Sequence, residues 1–330
     1  MNVRSEASME TRAVVIEAYG GKDQLKEATV QLPELKANQL LVKVAATSIN
    51  PIDWKLREGY LKQMFPWDFP IILGWDVAGD IVEIGADVTE FKVGDAIYAR
   101  PETTRFGTYA DYAIVDAELA AIKPENQNYA EAAAVPLAGL TAYQALFEHG
   151  RLKEGEKVLI HAGAGGVGTY AIQLAKAVGA YVITTASPRN HELLQKLGAD
   201  EIIDYHTTDF EEVLQDIDLV FDTMGGDTQK KSFTVLKPKG RLISILSIED
   251  EDLAKEKDIF AKAVWLRTNG KQLAELTELI EAEKVNSVIG ATFPLTAQGI
   301  YDAHALSETH HAVGKIVIEN QDNFISQDAE

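Results

Sequence analysis

The chain is predicted to be α/β, with a doubly wound parallel sheet of the Rossmann kind joined to a second, β-rich domain. Three observations carry this. Gly163, Gly165 and Gly168 form G-x-G-x-x-G within "IHAGAGGVG" (160–168). A short apolar run, Lys157-Val158-Leu159-Ile160, precedes that stretch, and apolar residues at helical spacing, 169–178, follow it. Beyond it strand-like and helix-like segments alternate, the pattern of stacked βαβ units.

Up to about residue 130 the pattern is short strands and turns. Strands are predicted over 12–18, 40–46, 77–84, 96–99 and 110–115, with a break at Ser48-Ile49-Asn50-Pro51 and turns at Gly74, Gly85 and Gly94-Asp95. From Tyr129 the texture changes, and 130–134 and 141–149 are predicted helical. After the glycine stretch, 181–185, 201–204, 219–222 and 241–245 read as strands. Between them 193–197, 210–216 and 231–236 read as helices, and 271–284 is a strongly amphipathic one. Phe293-Pro294 and Lys315-Ile316-Val317-Ile318 restore the β texture. The expected domains are therefore 1–130, 131–290 for the nucleotide-binding fold, and 291–330 as a return to the first domain plus a polar tail from 319. Residues 1–10 are expected to be a disordered extension.

Each glycine of the motif has a physical task. Gly163 is assigned the tight turn, Gly165 the close approach of backbone to a pyrophosphate, and Gly168 the close packing of helix on strand. Free N–H groups at the helix start, at Gly166 and Val167, then face phosphates. The alternative is a glycine-rich turn that binds nothing. The end of the next strand decides which dinucleotide fits. NAD sites usually place Asp or Glu there, but this chain has Ala186-Ser187-Pro188-Arg189. Ser187 can donate to a 2′-phosphate and Arg189 can pair with it, so the expected cofactor is NADPH.

The 330 residues carry a formal net charge of −20, which argues against nucleic acid and anionic membrane surfaces as partners. No apolar run approaches the length needed to cross a bilayer. The chain has no cysteine, which removes disulfides, thiolate nucleophiles and cysteine metal ligands together. With no signal-peptide pattern at the start, a cytoplasmic protein is expected.

Further stretches carry a resemblance: NPIDWKLREG (50–59), GWDVAGDIVEIG (74–85), KVGDAIYA (92–99), GTYADYAIV (107–115), PLAGLTAYQAL (136–146), LGADEIIDY (197–205), VFDTMGG (220–226) and VGKIVIEN (313–320). With the glycine loop, they make residues 11–319 resemble the zinc-independent quinone oxidoreductase and enone reductase branch of the medium-chain dehydrogenase/reductase superfamily. The resemblance implies a GroES-like substrate domain, a Rossmann domain, and an active site in the cleft between them. Zinc-binding members carry Cys where this chain has Asn50, G-H-E where it has Gly74-Trp75-Asp76, a relay Ser or Thr where it has Ile52, and a second Cys where it has Leu137. A catalytic zinc needs three protein ligands, so no metal is expected. His304, His310 and His311 read as surface residues.

Without a Lewis acid the hydride acceptor must itself be electrophilic: a quinone, or a double bond conjugated to a carbonyl. Its oxygen then needs a donor or a cation. The resemblance assigns this to Lys55, in the loop after Asn50, with Asp53 either orienting it or pairing with it as a surface acid. Asn50 and Tyr60 complete the candidate catalytic set, and Tyr60 and Trp75 are expected to wall the pocket, core packing being the alternative for Trp75. The cofactor contacts carried over by position are Thr141, Tyr205, Met224, Ile245 and Lys315. The expected function is NADPH-dependent, zinc-independent reduction of a quinone, enone or enal by a homodimer. The alternative is a non-catalytic, crystallin-like NADPH-binding protein.

Overall fold

The computed structural model describes residues 9–321, which divide into two compact units. Most of the expected N-terminal extension and polar tail lies outside the described residues. Asn320, assigned to that tail, is instead buried, and its amide donates to Val44 O at 3.1 Å and Asp111 Oδ1 at 3.0 Å.

The first unit takes the described residues up to Leu137, then Thr268–Glu278, then those from Ile289. The middle segment falls within the stretch that sequence texture assigns to the nucleotide-binding domain. The unit begins with strands β1 (Glu10–Ile16), β2 (Lys26–Gln31), β3 (Gln39–Ser48), β4 (Ile71–Ile72), β5 (Val77–Ile84), β6 (Ala96–Ala99), β7 (Tyr112–Asp116) and β8 (Ala120–Ile122). β1 pairs antiparallel with β2 and β4. β3 is the hub of the larger sheet, pairing antiparallel with β5 and β7. Its alternating side chains explain why: Leu40, Val42 and Val44 enter a core with Val77, Ile81, Ile97 and Val115.

The stretch after Asn50, expected as a loop, is a helix, Pro51–Arg57. Its cause is local. Asn50 is extended, Pro51 has a φ suited to the first helical position, and the Asp53 carboxylate reaches back to accept the Asn50 N–H at 2.9 Å.

The second unit comprises Ala138–Arg267 and Leu279–Val288. Its strands are β9 (Lys157–Ile160), β10 (Tyr181–Ala186), β11 (Glu201–Asp204), β12 (Ile217–Asp222), β13 (Leu236–Ser244) and β14 (Phe260–Ala263). Among the described residues they form one parallel sheet ordered β11-β10-β9-β12-β13-β14. Leu159, Ile183, Val220 and Leu242 anchor its core. The order reverses between β9 and β12, and such a switch point opens a crevice at the carboxyl ends of the strands. Some elements differ from the sequence reading, among them a helix and an edge strand. The helix expected over 231–236 runs over Gly226–Val235, and Leu236 already belongs to β13. β14 was not foreseen, because a short edge strand with mostly exposed side chains has no apolar pattern to betray it.

The chain then returns to the first unit. β15 (Ile289–Pro294) pairs parallel with β16 (Lys315–Glu319), and β16 pairs antiparallel with β3.

Candidate active site

The glycine loop leaves β9 and enters the helix Gly166–Ala177. The turn itself is made by Ala162, whose φ is +53°, and not by Gly163 as expected. Gly163 is glycine for a different reason: a Cβ there would lie 2.1 Å from the Thr184 hydroxyl on β10. A Cβ on Gly168 would lie 2.4 Å from Ala162 O, which is the close helix–strand packing anticipated. Gly165 differs from both. A Cβ there would meet only Ala162 O, at 3.4 Å, so nothing inside the unit demands a glycine. No side chain caps this helix, and Gly165, Gly166 and Val167 are only half-buried. A start of helix that no side chain caps, reached across a residue with no Cβ, is a cradle for phosphate. The residues present fit a dinucleotide.

Four other candidates of this unit follow strands of the same sheet. Ser187 follows β10, Tyr205 follows β11, Met224 follows β12 and Ile245 follows β13. Tyr205 and Met224 are each 55% exposed. Arg189 is exposed too. Thr141 sits on the helix Pro136–Tyr143 and is buried. Sequence reasoning missed Asp222, which shapes this edge. Its Oδ1 accepts the Met224 and Gly225 N–H groups at 3.0 and 2.9 Å. Its Oδ2 accepts from Ser244 Oγ at 2.7 Å and Gln229 Nε2 at 2.8 Å. The signal was present, as an acid ending an apolar strand before a double glycine.

Two candidates of the first unit, Asn50 and Lys315, meet in a buried polar network. Asp76 Oδ2 accepts from Ser48 Oγ and Asn50 Nδ2, both at 2.7 Å, and Oδ1 accepts the Leu137 N–H at 2.9 Å. The Lys315 ammonium donates to Asn50 Oδ1 and to Ile49 O, and lies 3.7 Å from Asp76. Burial pulls the Lys315 pKa down, while Asp76 and Asp53 oppose this. Lys315 was expected to reach the cofactor, but its ammonium is spent inside this cluster.

A second branch starts at Asp53. Its Oδ2 accepts from the Tyr109 hydroxyl at 2.7 Å as well as from the Asn50 N–H, while Oδ1 is buried without a partner. Burial pushes the Asp53 carboxyl up to about 7, against the pull of those two donors. Tyr109 lies 3.1 Å from His304 Nε2, and His304 Nδ1 lies 2.9 Å from Arg57 Nη1. Arg57 can only donate, so Nδ1 accepts and Nε2 carries the proton. The donors therefore run one way: Arg57 to His304, His304 to Tyr109, Tyr109 to Asp53. Burial, reinforced by the Arg57 charge, lowers the His304 pKa to about 3 and keeps the ring neutral. Arg57 is anchored in turn by Glu308 at 2.6 Å and Glu58 at 2.7 Å.

Two expectations are corrected here, for His304 and Asp53. His304 is fully buried and engaged at both nitrogens, not a surface residue. Asp53 neither orients Lys55 nor pairs with it; it holds Tyr109 and the start of the helix. Of the two readings of Trp75, core packing holds, its indole N–H donating to Thr104 O at 3.0 Å. Tyr60 is 69% exposed. Lys55 itself is half-buried on its helix, its ammonium 5.7 Å from the centre of the Trp54 ring.

A switch-point sheet with a phosphate cradle, joined to a β-rich unit built around β3 and the Asn50 turn, defines a two-unit nucleotide-dependent oxidoreductase. The zinc-binding dehydrogenase family matches residues 197–318, and the alcohol dehydrogenase GroES-like domain matches residues 36–125. The chloroplastic NADPH-dependent alkenal/one oxidoreductase of Arabidopsis thaliana is 37% identical over 329 residues, covering 96% of this chain and 82% of that protein. The 2-methylene-furan-3-one reductase of Solanum lycopersicum is 38% identical over 309 residues, covering 91% and 76%. The quinone oxidoreductase structure from Coxiella burnetii superposes with a TM-score of 0.88 at 37% identity, covering 95% of this chain and all of that one. The chain belongs to the medium-chain dehydrogenase/reductase superfamily, in its quinone oxidoreductase and enone reductase branch.

These relatives correct one expectation. Several carry chloroplastic or mitochondrial names, so the cytoplasmic assignment, which leaned on the lack of cysteine and of a signal-peptide pattern, does not stand. The zinc of the family description finds no matching ligand set. Asn50 is hydrogen-bonded through both side-chain atoms, Leu137 offers no side-chain donor atom, and Trp75 is core. Among the described residues no three His, Cys, Asp or Glu side chains stand together as a metal site.

Proposed function

We propose that this chain is an NADPH-dependent oxidoreductase that reduces a quinone or an α,β-unsaturated carbonyl. The observation that carries the reading is the cradle at Gly165, beside a strand end with Ser187 and Arg189 and no acid. NADPH, when bound, supplies the hydride. The N–H groups of Gly166 and Val167 hold its phosphates. Thr141, Tyr205, Met224 and Ile245 line its path along the sheet edge. The Lys55 ammonium meets the substrate oxygen on which charge develops, and the proton then reaches the substrate from Lys55 or from water. Asn50, tied to Asp76 and Lys315, fixes the start of the Lys55 helix. Tyr60, exposed beyond the end of that helix, is open to a substrate.

A homodimer is part of this reading. β14 ends its sheet, so its outer edge carries unpaired backbone groups among the described residues, and Phe260 and Trp265 are 53% and 62% exposed beside it. A second copy related by a two-fold axis satisfies such an edge. Sedimentation at micromolar concentration checks it, and a monomer refutes it.

The decisive experiment is single-turnover hydride transfer from NADPH to one naphthoquinone and one enone, in wild type and Lys55→Ala. The expected result is turnover in wild type, with the enone rate reduced about a hundredfold in the variant and the quinone rate reduced less. NADPH binding without turnover on any acceptor would leave only the nucleotide-binding reading. Wild-type rates in the variant would remove Lys55 from the chemistry.

A further inference from the structure

β10 and β11 run parallel with Ala186 opposite Asp204, so the residues that follow them leave the sheet side by side. Ser187 and Arg189 follow one strand, Tyr205 and His206 the other. Two features of His206 stand out. Its ring stacks on Tyr205, with centroids 4.2 Å apart and planes 28° apart. Its Nδ1 lies 3.1 Å from Asp204 Oδ1, which also accepts the His206 backbone N–H at 3.0 Å. The Asp204 carboxyl is held below its usual range, chiefly by that backbone N–H, so it is ionised and accepts from Nδ1.

The remaining ring nitrogen, Nε2, has no partner among the described residues. Among the described residues, Asp204 is likewise the one charged group within ion-pair distance of the ring. From β10, the cation that belongs to the same edge is Arg189. With Nδ1 committed as a donor, Nε2 can donate only when the ring carries both protons. An anion at Nε2 therefore favours the imidazolium, and Asp204 balances its charge.

We propose that His206 is a second recognition group for the adenosine 2′-phosphate, acting with Arg189, and that NADPH binding draws a proton from solvent onto its ring. The proposal rests on the reading of this edge as the 2′-phosphate end of the cofactor site. Tyr205 supplies the flat support that holds the imidazole in place. NADH, with a hydroxyl in place of the phosphate, gives Nε2 no anion to meet and draws no proton.

The test is calorimetric titration of the full chain with NADPH and NADH near neutral pH, in two buffers of different ionisation enthalpy. Wild type, His206→Phe and Arg189→Ala are compared. Phenylalanine keeps the stack on Tyr205 and removes both nitrogens. The expected result is proton uptake on NADPH binding in wild type and none with NADH. In His206→Phe the uptake disappears, and NADPH affinity falls about tenfold, as for one charge-assisted hydrogen bond, while NADH affinity stays within about twofold. Proton uptake that persists in His206→Phe, or an equal effect on both nucleotides, overturns the role of His206. If Arg189→Ala still abolishes the NADPH preference in that case, the reading of the edge survives. A wild type with no preference for NADPH overturns both.

Discussion

The Tyr109 phenol donates to the Asp53 carboxylate at 2.7 Å in a place where neither side chain reaches water. The carboxyl is pushed up from 3.8 to about 7, with burial the largest cause. The folded protein thus binds this proton more tightly than the unfolded chain. Its contribution to stability is greatest below about pH 4 and is lost as pH rises toward 7. Asp53→Asn cannot titrate. The difference in urea unfolding free energy between wild type and Asp53→Asn is expected to drift against wild type from pH 4 to 7 and then level. A flat difference shows that Asp53 does not titrate in that window.

His304 has the opposite sign. Its pKa is lowered to about 3, so the unfolded chain takes up the proton first as pH falls below about 6.5. The stability it contributes is present above that value and lost on acidification toward pH 3. His304→Phe keeps a flat ring but leaves buried Arg57 and Tyr109 each short of a partner. It is expected to destabilise the protein by about 3 kcal/mol, as for breaking a buried charged hydrogen bond. Chemical denaturation at pH 7.5 measures this, and a loss below about 0.5 kcal/mol, the range of neutral surface changes, contradicts the one-way chain of donors.

The three motif glycines are expected to separate. Gly163→Ala and Gly168→Ala place a Cβ against a Thr184 hydroxyl and a backbone carbonyl, and each should lower the melting temperature by several degrees. Gly165→Ala meets only ordinary contact within the unit. Its melting temperature should stay close to wild type, while its dissociation constant for NADPH rises at least about tenfold. Equal thermal losses in all three would make Gly165 a packing residue.

Chelation should leave turnover unchanged. The three positions that hold metal in zinc-binding relatives are an amide tied at both ends, an aliphatic side chain and a core indole. Metal analysis of the purified protein together with assays after 1,10-phenanthroline treatment decides this. Stoichiometric zinc removed in parallel with activity would overturn it.

The glycine loop was legible in the sequence because its determinants are local: an apolar strand, three glycines and a helix within about twenty residues. The type of each neighbouring strand was legible for the same reason, although its ends were not. The Lys55 helix was misread as a loop, although Asn50, Pro51 and Asp53 spell a helix start. A strand-like context and the break at Pro51 drew attention away from the cap. The Arg57–His304–Tyr109–Asp53 chain was not legible at all. Arg57 and His304 are 247 residues apart in sequence, and nothing in the composition around His304 distinguishes a buried imidazole from an exposed one. Gly163 teaches a related lesson. The motif names the residue correctly, but its reason is a hydroxyl on another strand.

β16 pairs with β3, and it brings Lys315 to Asp76 from almost the far end of the chain. Translation therefore presents the two units in an unequal order of completion. By the time residue 288 has left the ribosome, the nucleotide-binding unit has all of its own chain. The first unit, although synthesised earlier, still lacks β15 and β16, and its Asn50 and Asp76 await the Lys315 ammonium. The unit made first is the one that finishes last. Nascent chains stalled just after residue 288 has left the ribosome should accordingly resist protease over 157–263 while remaining sensitive around the Asn50 turn.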